Sequence, residues 1–142
     1  MLKNSPVKII LDTNLWISFI ISNKLNLLDS LLYSDDVRLL FSKELIAEIK
    51  ETIEKPKLRK YFEPNAIEEM LFTFEPFIDL IRIESDVMVC RDPKDNFLLA
   101  LAHDGKADYL LTGDNDLLVM KKFGRTKIVK ISEFLKSMKK DY

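Results

Sequence analysis

The chain has 142 residues, 47% hydrophobic and 32% charged, with a formal net charge of -1. That size and balance fit one domain over residues 1–142 with its own core, and they supply no global field to advertise a polyanion or a membrane. A single cysteine, Cys90, and a single histidine, His103, exclude an internal disulfide and argue against a structural zinc site or a Ser-His-Asp or Cys-His nucleophile, so acid chemistry remains.

In chain order, "VKIIL" (7–11) has the short, β-branched, apolar character of a buried strand. From Leu15 to Tyr33 the apolar positions recur at helical spacing, with a break at "SNK" (22–24). "VRLLF" (37–41) reads as a second strand, with Ser42 as N-cap of a helix over "KELIAEIKETIEK" that Pro56 ends. A helix over Asn65 to Phe77 follows Pro64, and "IDLIRI" (78–83) reads as a third strand. In "DPKDN", Asp92 fits a cap and Pro93 the first residue of a helix that runs through "FLLALAHDG", with Gly105 as its stop signal. "ADYLLT" (107–112) is a fourth strand, "NDLLVMKKF" (115–123) a short helix, "KIVKI" (127–131) a fifth strand and "SEFLKSMKK" a closing helix capped by Ser132. No apolar run approaches the roughly 20 residues of a spanning helix, and the opening residues carry no signal-peptide pattern, so a cytoplasmic protein without membrane contact is expected.

This alternation predicts an α/β domain with a largely parallel sheet of about five strands and helices on both faces. In such sheets the working crevice lies outside the carboxyl ends of the strands, where strand order switches. Asp12 ends the first strand, Asp114 follows the fourth, Asp95 opens the helix before it, and Glu48 lies near the edge of the apolar stripe of Leu45, Ile46, Ile49 and Ile53. Each has a plain structural use. Asp12 and Asp114 fit helix caps, Asp95 suits a helix dipole, and Glu48 shares its helix with Glu44, Glu51 and Glu54. Clustered, however, they would repel one another unless a proton or a hard cation sat between them. Oxygen ligands without cysteine or histidine select Mg²⁺ or Mn²⁺, and the chemistry suggested is phosphodiester hydrolysis.

The ordered blocks "IILDTNLWISFI", "SKELIAEI", "CRDPKDNFLLALAHDGKADYLLTGDNDLL" and "VKISEFL" resemble the successive motifs of the PIN-domain family, particularly the VapC-like toxins of toxin-antitoxin pairs. The resemblance implies a Rossmann-like three-layer α/β/α sandwich and a Mg²⁺- or Mn²⁺-dependent endoribonuclease acting on RNA. It also implies an antitoxin as protein partner and a homodimer. Carried over residue by residue, the metal-binding and catalytic acids are Asp12, Glu48, Asp95 and Asp114, with Asp116 a near neighbour of the last. Thr13, Asn14, Ser42, Asn96 and Thr112 match the polar residues that orient ligands and water. Where many relatives carry a basic residue after the threonine of the last acidic motif, this chain has Gly113.

An RNA substrate needs a positive approach. "KPKLRKYF" offers Lys55, Lys57, Arg59 and Lys60 beside Tyr61 and Phe62, and "KKFGRTK" offers Lys121, Lys122, Arg125 and Lys127, with Lys136, Lys139 and Lys140 in the tail. One of these segments is expected to flank the cleft. Two alternatives to the nuclease reading stand at this point. In one, Asp12 is the nucleophile of a phosphatase, although such sites want a second Asp where Asn14 stands; in the other, the acids only cap helices in a non-catalytic RNA-binding or regulatory module.

Overall fold

A computed structural model describes residues 6–22, 32 and 37–139. Its elements are β1 (Val7–Leu11), α1 (Thr13–Ser22), β2 (Val37–Phe41), α2 (Lys43–Ile53), α3 (Pro56–Arg59), α4 (Ala66–Phe74), β3 (Ile78–Leu80), α5 (Pro93–Gly105), β4 (Tyr109–Leu111), α6 (Asn115–Leu118), β5 (Lys122–Phe123), β6 (Thr126–Val129) and α7 (Ile131–Lys139). The strands form one six-stranded sheet in the order β3-β2-β1-β4-β6-β5, and every pairing is parallel except β5 with β6. This is the expected α/β fold, with one strand more than the sequence predicts. Residues 23–31 and 33 of the helical pattern that runs to Tyr33, and the tail cation Lys140, lie outside the described residues.

β1 occupies the middle of the sheet, which is why its second half reads as unbroken apolar chain: Ile9, Ile10 and Leu11 are fully buried on both faces. Alternation of side chains assigns the layers. Phe41 meets Trp16 of α1 at 5.1 Å, and Trp16 meets Phe74 of α4 at 6.1 Å, so α1 and α4 cover one face. Leu40, one residue earlier in β2, points to the other face, where α5 packs so closely that a Cβ on Gly105 would lie 2.8 Å from Leu40 Cδ1. α7 returns to the first face through Phe134 against Tyr109, at 5.0 Å. Three layers result, and no helix among the described residues is long and apolar enough to cross a membrane.

The sequence-based boundaries fail where tertiary partners or turn chemistry decide. The third strand stops at Leu80 rather than reaching residue 83, because its partner β2 ends at Phe41 and offers only one further carbonyl, to Ile81 N–H. Pro56 does not merely end α2; with φ preset it is the first residue of the short α3. The helix expected over 115–123 closes after Leu118, since Lys121 adopts φ 65 and Phe123 pairs with Thr126 across a two-residue turn with Gly124 at φ 58. Gly105 is the last helical residue, not the left-handed stop, which is Lys106 at φ 54; the glycine fits the close approach to Leu40, which a Cβ would push aside. Ser132 lies inside α7 and is not its cap.

Candidate active site

The chain winds outward from β1 through β2 to β3, then crosses back to place β4 on the other side of β1. Strand order therefore switches between β1 and β4. At the carboxyl ends of those two strands Asp12, Thr13, Asn14, Glu48, Asp95 and Asp114 line one cavity of about 100 Å³ with Asp92, Lys94 and Leu98. That volume suits an ion with a few waters and is too small for a nucleotide.

Asp12 emerges from β1 fixed from several sides. Its backbone N–H continues the ladder to Leu111 O at 3.1 Å, and the Leu15 N–H donates to Oδ1 at 2.8 Å, so Asp12 caps α1 itself. The Thr112 hydroxyl donates to Oδ2 at 2.5 Å and accepts the Asp114 N–H at 3.0 Å, so one threonine ties two acids together. Capping and a place in the cavity therefore fall to the same residue. Burial raises the Asp12 carboxyl above its ordinary range, the Thr112 and Leu15 bonds pull it back, and the Asp114 charge adds to the rise.

Glu48 reaches the cavity from the border of the α2 stripe, as the helical pattern predicts. Its side chain is 14% exposed, and its carboxyl stands 3.9 Å from Lys94 Nζ. Burial raises its pKa and Lys94 lowers it. Thr13 also favours the ionised form, but its hydroxyl falls short of hydrogen-bond geometry and is a buried oxygen with no partner. Asp95, in the first turn of α5, is 7% exposed. Burial, then the Asp114 charge and a shared hydrogen bond with Asp114, push its carboxyl up to about 7. Carboxylate oxygens of Asp95, Asp114 and Asp116 lie within 4.8 Å of one another. Asp114 also accepts the Asp116 N–H at 2.9 Å, which makes it the cap of α6. Asp116 stands outside the cavity lining, paired at 3.3 Å with the exposed Arg91.

Two expected supporting residues act at a distance from the acids. Ser42 accepts the Leu45 N–H at 3.1 Å and so sets the start of the helix that carries Glu48. Asn96 accepts the Cys90 N–H at 2.8 Å and donates to the Cys90 carbonyl at 3.0 Å, clamping the preceding loop onto α5 next to Asp95. The expected cationic flank is not brought to the cavity. Lys55, Lys57, Arg59 and Lys60 are exposed on and around α3, beyond the far end of α2. Lys122 and Lys127 lie level with Tyr109, where β4 begins, and Lys121 is exposed at the start of the β5 edge. The residues missed from sequence are Lys94, Asp92 in its role as lining, and Arg91. Lys94 left a signal: a cation in a first helical turn opposes the helix dipole, and here it stands among Asp92, Asp95 and Glu48.

An all-oxygen set of mutually repelling acids, with an orphaned buried hydroxyl beside it, fits a hard divalent cation. A PIN-domain family model matches residues 8–116. The chain is also 33% identical over 119 residues to the uncharacterized protein MJ1680 of Methanocaldococcus jannaschii, covering 81% of this chain and 76% of that one. The chain belongs to the PIN-domain family, whose members are nuclease-type folds and typically bind divalent metals.

Proposed function

From that membership and the acids gathered at the switch point, we propose that this protein is a Mg²⁺- or Mn²⁺-dependent endoribonuclease and the toxin of a toxin-antitoxin pair. The observation that carries the nuclease reading is the crowding of Asp95 against Asp114 and Asp116, tight enough to hold a proton on Asp95 near neutrality until a cation replaces it. Asp12, Glu48, Asp95 and Asp114 would hold the ion, with Asp116 at its margin. The ion would supply Lewis acidity toward a phosphodiester and the attacking water. Asp12, with one oxygen on Leu15 N–H and the other on Thr112 O–H, is an anchored ligand, a poorer fit to an aspartyl nucleophile that must swing onto phosphorus. Glu48, beside Lys94, is held in the cavity as an acceptor for water. The toxin assignment rests on the motif resemblance; its partners are an antitoxin covering the cavity mouth and a second copy of the chain in a homodimer.

The test is cleavage of single-stranded RNA in Mg²⁺ and in Mn²⁺, against chelator and against Asp12→Asn. Cutting that needs the ion and the aspartate is expected, whereas cutting that survives either loss refutes the site. Induced expression that arrests growth in the wild-type form but not as Asp12→Asn supports the toxin role, and unimpeded growth with soluble active protein contradicts it.

A further inference from the structure

The opposite end of the same sheet holds a larger concavity that the nuclease chemistry does not use. It measures about 440 Å³ and is lined by Lys8 at the start of β1, Lys106 at the end of α5, Asp108 and Tyr109 entering β4, and Arg125 and Lys127 around the β5–β6 turn. Four cations therefore face one acid. That acid is already engaged: Asp108 accepts the Lys8 backbone N–H on one oxygen at 2.8 Å and pairs with Arg125 on the other at 2.8 Å. Among the described residues the ammonium groups of Lys8 and Lys106 have no carboxylate partner, and Lys127 has only the Tyr109 ring, 5.9 Å below its Nζ.

A second observation comes from the hairpin. β5 sets Lys122 directly opposite Lys127, so two cations share one face of an antiparallel pair, an arrangement that destabilises unless an anion lies nearby. The turn that creates it places Gly124 at φ 58 and ties Arg125 back to Asp108.

We propose that this trough binds the phosphate backbone of an RNA strand outside the position that is cut; the identity of the polymer rests on the nuclease reading. The donors favour a backbone over a small specific ligand. They are ammonium groups on long flexible stems, which act as point charges and read no base, and there is no glycine-rich loop to enclose a single nucleotide. Tyr109 adds a half-buried aromatic surface among them. From Lys8 to Asp12, β1 separates the trough from the acid cavity by about 13 Å at roughly 3.3 Å per residue, so only an RNA of several nucleotides could reach both.

The experiment is fluorescence anisotropy of a labelled single-stranded RNA of about 20 nucleotides with the full chain in chelator, comparing wild type with Lys106→Asn/Lys127→Gln. Both positions are exposed, and asparagine tolerates the left-handed backbone at 106. A Lys50→Gln/Arg82→Gln variant removes the same charge at two exposed positions elsewhere. The trough variant is expected to bind about tenfold more weakly and to flatten the salt dependence by about 1.4 in log–log slope, as two lost contacts to a single strand require, while the other variant binds as wild type. Unchanged affinity in the trough variant, or an equal loss in both, overturns the proposal. Cleavage of the same RNA in Mn²⁺ is read separately: its absence sinks the nuclease reading and leaves the binding result standing.

Discussion

The two ends of the sheet are built from the same strands and differ in every respect that matters to a charged ligand. At the carboxyl end, short side chains sit directly on strand ends and first helical turns, Asp12 and Asp95 are each 7% exposed, and Thr112 bonds to two of the acids. At the amino end, lysines on long stems surround a cavity several times larger and one acid is enough to fix Arg125. Position decides this. Carboxylates close to the backbone are held where an ion demands fixed oxygens, while cations that follow a flexible polymer need reach and tolerate motion.

The largest expected break in the comparison is Asp12→Asn. Asparagine remains a good cap for α1 and no longer buries a charge, so the fold should hold while nuclease activity falls by more than the roughly 10–100-fold typical of losing a supporting residue. Thermal melts beside single-turnover cleavage check this, and a folded variant that still cuts at the wild-type rate would contradict it. Thr112→Val comes next: it deletes the hydroxyl that donates to Asp12 and accepts from Asp114 N–H, and should cost about 10–100-fold in cleavage, with Thr112→Ser restoring most of it. If valine is as active as serine, the threonine contributes only to packing.

A smaller effect separates the two ends by pH. Asp95 titrates near 7 in the fold against an ordinary 3.8, and Asp12 and Glu48 are shifted the same way. The folded state thus binds protons that the unfolded chain releases, so metal-free stability falls as pH rises from about 4 to 7. The melting midpoint in chelator should be higher at pH 5 than at pH 7.5, by an amount that shrinks in Asp95→Asn; a flat or rising trend would count against crowding of the acids. The smallest effect belongs to the amino end. Gly124→Ala forces a side chain into φ 58 and should destabilise by about 1 kcal/mol, read by denaturant melts, with cleavage of short RNA unaltered. A loss of short-RNA cleavage as large as that of Thr112→Val would show that the two ends are not independent.

The acid site was legible in the sequence because strand ends and helix starts are local features. Asp12 follows a five-residue strand that is apolar but for Lys8, Asp95 follows a cap and a proline, and the switch-point rule joins them without further information. The Thr112 bridge spans 100 residues of sequence, and nothing local announces it. The basic side was misread for the same reason. Lysine runs are visible in sequence, but the edge of the sheet on which they fall depends on where β4 and β6 begin, and β5, the first strand of the hairpin that carries Arg125, falls at the end of the helix expected over 115–123. Gly105 reads as a helix stop because glycine usually marks one, whereas what it answers to is Leu40 in a strand 65 residues earlier.

Whether the acid cavity holds a divalent ion is tested most directly by anomalous diffraction from crystals soaked in Mn²⁺. The predicted result is a peak in the cavity within coordination distance of Asp12 and Asp95, lost in Asp95→Asn. An empty cavity at saturating Mn²⁺, or a peak bound only to exposed acids elsewhere, would contradict it.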